Sequence, residues 1–430
     1  MDDKQRLTYI YLFKWSVIAI ASGLICSSVV HIFSLIIDYS TSILSVLPVP
    51  VFLWPAIGAV IAGGIIYKLQ IHAAGEGIPS YIRGVRIHEG ELLTSVTFFK
   101  FWAAVFTLGF YGNGGIVGPL GRVCSGIMSF IIRKIKIVFK KPDWHTASIC
   151  GMAAAVGTIF HSSIGAGIFA VEIIKRAKMG YRDIFPAVLA SSSAVLVCKT
   201  LGWRSFYHIN VPGQFMNVGM LHALLIAIML SGFGGALYVS FYGKMSRLFR
   251  RKEGNLLLKA VAGSASAGIL VWFMNPSMMG ASKGVIPALL GGEMDLIYGK
   301  LPVFMPAALV LLLMAVLKGA GNCITVASGM SAGFTGPAAI MGMLIGASVG
   351  YFFGIDPESP TFYAMVAAGF CGMLSSSMNI PLAAAIMTVE IFGLQYSFPA
   401  GFASVVGFQV TRHVTIYDYA LEEGEDEDDY

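Results

Sequence analysis

Charge is scarce in this chain. Asp, Glu, Lys and Arg make up 12% of its 430 residues, about half the share of a soluble domain. So few charges cannot cover a water-facing surface of that size, which excludes an ordinary soluble protein. The six cysteines (Cys26, Cys124, Cys150, Cys198, Cys323 and Cys371) stand singly, with no C-x-x-C pair. Neither a disulfide framework nor a thiolate metal site is expected from them. The apolar spans hold almost no aspartate, no two histidines share a helical turn, and H-E-x-x-H is absent. An intramembrane enzyme would need such a nucleophile–base pair or metal set, so no enzymatic activity, metal or cofactor is expected, nor a nucleic-acid partner. The first apolar run is too long for a cleavable signal peptide and has no small-residue cleavage site. No polar block is large enough for a soluble regulatory domain.

What remains is apolar. Hydrophobic residues are 56% of the chain and mean hydropathy is +0.76. Runs long enough for a membrane helix include Leu12–Ile37, Val51–Tyr67, Leu221–Tyr242, Leu256–Met274 and Val303–Leu317, so a multi-pass protein of the cell membrane is expected. Basic clusters at Arg133–Lys141, Lys175–Arg182 and Lys244–Lys252 are the candidates for cytoplasmic loops. Residues 419–430 form an acidic end, expected to be a solvated, disordered tail. The 50 glycines suit close helix crossings and broken helices that line a polar cavity.

The strongest pattern is a duplication. GNGGIVGPLGRVCSGI near residue 115 and GMSAGFTGPAAIMGML near residue 333 both contain G-x-x-G-P, at Gly115–Pro119 and Gly333–Pro337. Farther on, CGMAAAVGTIFHSSIGAGIFAVEI (Cys150–Ile173) parallels CGMLSSSMNIPLAAAIMTVEI (Cys371–Ile391). Pro119 to Glu172 and Pro337 to Glu390 are each 53 residues, an offset of 218 between the copies. Two transmembrane halves are expected, 1–210 and 211–418. Repeats of this kind put a transport site near the midplane, where broken helices aim their N-termini inward. Gly permits unusual torsions and Pro tolerates the first helical turn. The exposed amides carry partial positive charge, which favours an anion. The bland alternative is that these glycines only allow tight crossings.

These residues also carry a family likeness. Over nearly its whole transmembrane length the chain resembles the CLC chloride channels and chloride/proton antiporters, as a divergent prokaryotic member without CBS domains. The family loops G-S-G-I-P, G-R-E-G-P and G-x-F-x-P are matched by Gly75-Glu76-Gly77-Ile78-Pro79, by Gly115-Ile116-Val117-Gly118-Pro119 and by Gly333-Phe334-Thr335-Gly336-Pro337. Tyr417 in TIYDYAL stands where the family tyrosine is expected, Tyr419 being the substitute, and KFWAAVFTLG and SIGAGIFAVE are further matches. The resemblance implies an all-α inverted-repeat fold whose broken helices meet at a midplane ion site. It also implies transport of chloride or another monovalent anion, a homodimer in the bilayer (for a bacterium, the inner membrane), and both termini in the cytoplasm.

Four departures bear on mechanism. Val117 replaces the gating glutamate and Ile173 the inner proton glutamate that would follow Glu172, which points to an uncoupled channel. Glu76 replaces the serine that coordinates the anion. Burial disfavours its ionised form while helix N-termini favour it, and three readings are open: a relocated gate or proton carrier, a site for another ion including a cation, or a structural carboxylate turned away. An intramembrane carboxylate is a functional hypothesis by default. Thr335 replaces a phenylalanine, which would widen the site or restore a hydroxyl, or simply change packing. Arg122 is expected to partner Glu76, to raise the local potential, or to snorkel to the interface. Glu172 and Glu390, matched in the repeat, are expected to be structural carboxylates at helix ends. Lys100, Lys283 and Lys318 are expected to add positive potential to vestibules, and His31, His72 and His161 to be ordinary polar positions. A transport-inactive scaffold is the remaining alternative.

Overall fold

The computed structural model describes residues 3–135, 141–175, 181–205, 209, 218–251 and 254–422. Its regular structure is helical throughout these residues. Before residue 210 lie α1 (Asp3–Val46), α2 (Trp54–Leu69), α3 (Ile78–Arg86), α4 (Thr94–Gly109), α5 (Val117–Lys134), α6 (Lys141–Phe160), α7 (Ile164–Lys175) and α8 (Tyr181–Thr200). After residue 217 lie α9 (Leu221–Arg251), α10 (Leu256–Met274), α11 (Val285–Leu290), α12 (Met294–Tyr298), α13 (Ala307–Ala327), α14 (Thr335–Phe352), α15 (Pro360–Met378), α16 (Pro381–Phe392), α17 (Ser397–Val410) and α18 (Ile416–Glu422). Among the described residues, eight helices are long and apolar enough to cross a membrane. They contain most of the predicted runs, but α13 begins at Ala307 rather than Val303, with Pro306 in extended backbone at its N-cap. The expected boundary between halves falls at 210–217, outside the described residues, as do 136–140, 176–180 and 252 of the basic clusters and 423–430 of the acidic end. Residues 419–422, expected to be tail, continue α18.

Apolar helices in lipid gain little by hiding from it, so close packing holds them together and small residues set the contacts. The most enclosed helices, α14 and α15, have 89% and 100% of their membrane-length windows buried. They meet at Gly342 and Gly369, where a Cβ on either would strike the other's backbone carbonyl.

The duplication is visible element by element. Helices α5 and α14 begin at Val117 and Thr335 and end at Lys134 and Phe352, 218 residues apart at both ends. Helices α6 and α15 end at Phe160 and Met378 in the same register. Each is followed by a left-handed residue, His161 (φ 53°) and Asn379 (φ 58°), which stops the helix so that α7 or α16 can start in a new direction. His161 is thus a helix-terminating turn residue, and the C-G-M triplets at Cys150 and Cys371 lie three residues out of the 218-residue register.

The two G-x-x-G-P loops cross. Gly115 donates to Gly333 O at 2.8 Å and Gly333 donates to Gly115 O at 2.7 Å, an antiparallel bridge between repeat-equivalent residues. A two-fold relation between the halves brings a residue and its copy face to face in this way. Neither glycine lies in the left-handed region. A Cβ on Gly115 would lie 2.8 Å from Pro337 Cδ, so close approach, not torsional freedom, requires glycine here. Torsional freedom is needed at Gly75, whose φ is +65°.

Candidate functional site

Three helix starts meet beside this bridge. Helix α3 starts at Ile78 with Pro79 in its first turn; α5 starts at Val117 and α14 at Thr335. Amides in a first turn have no partner within their own helix. Here Glu76 takes them. Its Oε2 accepts from Gly77 N at 2.9 Å and Ile78 N at 2.5 Å, and its Oε1 accepts a longer bond from Phe334 N at 3.4 Å. A Cβ on Gly118, at the start of α5, would collide with the same carboxylate. The side chain therefore turns into the meeting point of the helix ends and is 3% exposed. Gly118→Ala should therefore push the carboxylate off the amides and lower thermal stability, as a thermal melt would read.

Beneath the loop lies Lys100. It is buried, and its ammonium donates to Ala73 O, Ala74 O and Gly75 O at 3.2, 2.9 and 3.0 Å, which gathers the carbonyls just before Glu76. A cavity of about 420 Å³ opens from Glu76, Gly75, Gly77 and Lys100, and is lined further out by His72, Arg83, Arg250 and Lys259. Glu76 is the sole acidic side chain among the described residues lining it. Such a basic, concave wall concentrates anions.

The remaining predicted residues fall as follows. Thr335 is buried, and its hydroxyl lies 3.4 Å from the Tyr417 hydroxyl, so Thr335 adds a polar group beside the tyrosine. Tyr417, not Tyr419, faces the site; Tyr419 lies over Gly243 of α9. Aromatic packing comes instead from Phe334, one residue earlier, against Tyr242, Tyr238 and Tyr417 at ring separations of 4.5, 6.1 and 6.3 Å. Val117 is fully buried and offers no titratable group, and Ile173 is likewise apolar and buried.

Arg122 does not snorkel. It is buried, and donates to Ser80 Oγ at 3.0 Å and Thr97 Oγ1 at 3.1 Å, tying α5 to α3 and α4. Lys283 pairs with Asp38 at 2.7 Å. Lys318 is buried away from the cavity and donates to Asn113 Oδ1, Met278 O, Gly280 O and Ser282 Oγ. Neither lines the cavity that opens from Glu76. His31 stacks on Trp203 at 4.0 Å, whereas His72 lines the cavity.

Glu172 and Glu390 cap each other's half. Glu172 accepts from Leu382 N and Ala383 N at 3.1 and 2.7 Å, at the start of α16. Glu390 accepts from Ser163 N, Ile164 N and Gly165 N at 3.1, 2.9 and 2.9 Å, at the start of α7, and from the Ser162 hydroxyl. A hydrogen bond to a charged group contributes about 1.5–3 kcal/mol. Glu390→Ala should accordingly lower thermal stability by about 2–4 kcal/mol while leaving the ion selectivity of the folded fraction unchanged, as thermal melts and liposome flux would read.

Sequence reading did not find Arg83, Arg250 or Lys259 at the cavity, nor Tyr238 and Tyr242 beside Phe334. Arg83, Arg250 and Lys259 lie on three different helices, and nothing in the local sequence around Tyr238 and Tyr242 of α9 marks them as neighbours of Phe334. For Lys100 and Lys318 a signal existed: they differ by the repeat offset, each 17 residues before Val117 or Thr335.

Comparison with known proteins agrees with this fold. The family profile described as "Voltage gated chloride channel" matches residues 58–412. An uncharacterized protein of Methanocaldococcus jannaschii is 26% identical over 422 residues, covering 96% of both chains. A chloride/fluoride channel protein of Pseudomonas syringae is 23% identical, covering 95% of this chain and 86% of the relative. Among solved structures, a CLC-type fluoride/proton antiporter superposes with a TM-score of 0.81 at 18% identity, covering 96% of this chain and 98% of the other. A slow cyanobacterial Cl−/H+ antiporter superposes at 0.78, also at 18% identity. The chain is a multi-pass membrane protein that belongs to the voltage-gated chloride channel (CLC) family.

Proposed function

We propose that the chain carries a small monovalent anion, chloride or fluoride in size, across the membrane by a channel-like route gated by Glu76. The observation that carries this reading is the seat of the Glu76 carboxylate. It takes the first-turn amides of α3 and reaches that of α14, donors suited to a bare anion. Ionised, the carboxylate competes for the seat. Protonated, it loses its charge-assisted bonds and the seat opens to an ion arriving through the basic cavity. Amide donors and Lys100 around the carboxylate support an anion over a cation. Val117 and Ile173, apolar where the family's proton-handling glutamates are expected, support uncoupled flow.

A second reading keeps one specific feature: Glu76 joins the anion seat to the cavity, so one carboxylate exchanging a proton for an anion would couple the two. The two readings part in liposomes. Under the first, an outward anion gradient drives no uphill proton movement; stoichiometric proton uptake abolished by Glu76→Gln supports the second. No flux of chloride, fluoride, nitrate or thiocyanate at either acid or neutral pH would overturn both and leave a membrane scaffold.

Further parts of the proposal follow from family membership: a homodimer with one pathway per subunit, residence in a bacterial inner membrane, and both termini in the cytoplasm. The basic end of α9 (Arg247, Arg250 and Arg251) supports a cytoplasmic position for the cavity mouth. The roles assigned to Glu76, Val117, Thr335 and Tyr417, and the halves 1–210 and 211–418, belong to this same reading.

A further inference from the structure

A second hollow lies on the side of the molecule, between α9 and α13. It is an apolar groove of about 440 Å³, and both helices are membrane-length spans. Its walls include Leu237 and Val316, 72% and 65% exposed. Small residues make it concave. On α13, Gly319 and Ala320 line it, and a Cβ on Gly319 would lie 2.6 Å from Met341 Cε and 3.4 Å from the Tyr238 ring. A helix face that merely touches lipid has no need of such a hollow. Lys244 is the one cation among the groove's described lining residues. It sits two turns along α9 from Leu237, about 10 Å at 1.5 Å per residue, at the end where Arg247, Arg250 and Arg251 follow.

We propose that this groove binds one anionic phospholipid, an acyl chain lying along Leu237 and Val316 and the phosphate at Lys244. Charge complementarity selects the occupant: a basic end with no acidic lining residue favours an anionic headgroup over a zwitterionic one, and the apolar length above it fits a chain rather than a soluble ion.

The floor of the groove links the lipid to the ion site. The Tyr238 hydroxyl donates to Asn322 Oδ1, and Asn322 Nδ2 donates to Gly333 O at 3.1 Å, the carbonyl that pairs with Gly115 N. The Tyr238 ring meets Phe334 edge-on at 6.1 Å. A chain filling the groove therefore braces Tyr238 against the crossing loops, and its loss loosens them.

The test is retention of lipid by the purified full-length protein, read by native mass spectrometry after exposure to equal phosphatidylglycerol and phosphatidylcholine. Wild type should retain phosphatidylglycerol over phosphatidylcholine by about five-fold, the ~1 kcal/mol that one basic residue contributes near a membrane surface. Ala320→Trp, which fills the groove, should lose the retained lipid. Lys244→Gln, an exposed change that does not threaten folding, should keep lipid but lose the preference. Equal retention of both lipids by wild type, or an undiminished preference in Lys244→Gln, would overturn the site. Anion flux reads the brace separately: in wild type it should be higher in phosphatidylglycerol liposomes than in phosphatidylcholine liposomes, and equal flux in the two would remove the link to the pathway. A wild type that moves no anion would sink the transport reading but not the lipid result.

Discussion

Glu76→Gln is expected to raise anion flux at neutral pH and to flatten its dependence on pH. In the wild type, flux should climb as pH falls, because each proton taken up by Glu76 removes the charge that competes for the seat. Where that group titrates, one unit of pH changes the ratio of its two forms by about ten-fold, or ~1.4 kcal/mol. Glutamine keeps the size of the side chain and cannot ionise, so the variant should show at neutral pH the flux that the wild type reaches in acid. The measurement is anion efflux from liposomes between acid and neutral pH, with protein incorporation matched. If flux and pH profile are both unchanged, Glu76 is structural, however well its carboxylate fits the amides.

Lys100→Met should have the second large effect, a loss of flux of ten-fold or more. Lys100 does two jobs. It is the buried cation of the cavity beside the seat, and its three bonds hold the carbonyls of Ala73, Ala74 and Gly75. Methionine fills the space but leaves these carbonyls without a donor, at about 1–3 kcal/mol for each buried group left unsatisfied, and frees the loop that aims Glu76. Lys318→Met separates the two jobs. Lys318 is equally buried and holds Asn113, Met278, Gly280 and Ser282, yet it does not line the cavity. It should cost comparable thermal stability while flux per folded molecule and its pH profile stay as in wild type. Equal loss of flux in both variants would mean that Lys100 acts only through packing.

Much of the fold was legible because a membrane restricts what a chain can do. Long apolar runs become helices, and a repeated G-x-x-G-P becomes a repeated helix start. The offset of 218 residues carried more than the motifs that revealed it. It also pairs His161 with Asn379 as helix-ending turns, Lys100 with Lys318 as buried cations, and Glu172 with Glu390 as reciprocal caps. Sequence alone could not say that Glu390 caps α7, since a carboxylate reaching amides 227 positions away leaves no local trace. The meeting of the three loops was legible at Glu76, Gly118 and Thr335. Its surroundings were not. Arg83, Arg250 and Lys259 each belong to a different helix, and only folding brings them to one cavity. Of the three roles open for Arg122, burial removes snorkelling, and its hydroxyl partners, Ser80 and Thr97, are ordinary residues until α3 and α4 close around it. The glycines of the crossing loops were expected to supply unusual torsions, and at Gly115 and Gly333 they supply proximity instead.

The central claim is that the Glu76 carboxylate occupies the place of the transported anion. Calorimetric titration of the purified protein with chloride and fluoride at neutral pH tests it without reference to flux. Glu76→Ala vacates the amides of Gly77, Ile78 and Phe334, so it should bind one of these anions at least ten-fold more tightly than wild type, about 1.4 kcal/mol, and wild type should approach that affinity as the pH is lowered. Affinities that are the same in the two proteins, and unmoved by pH, would contradict the claim.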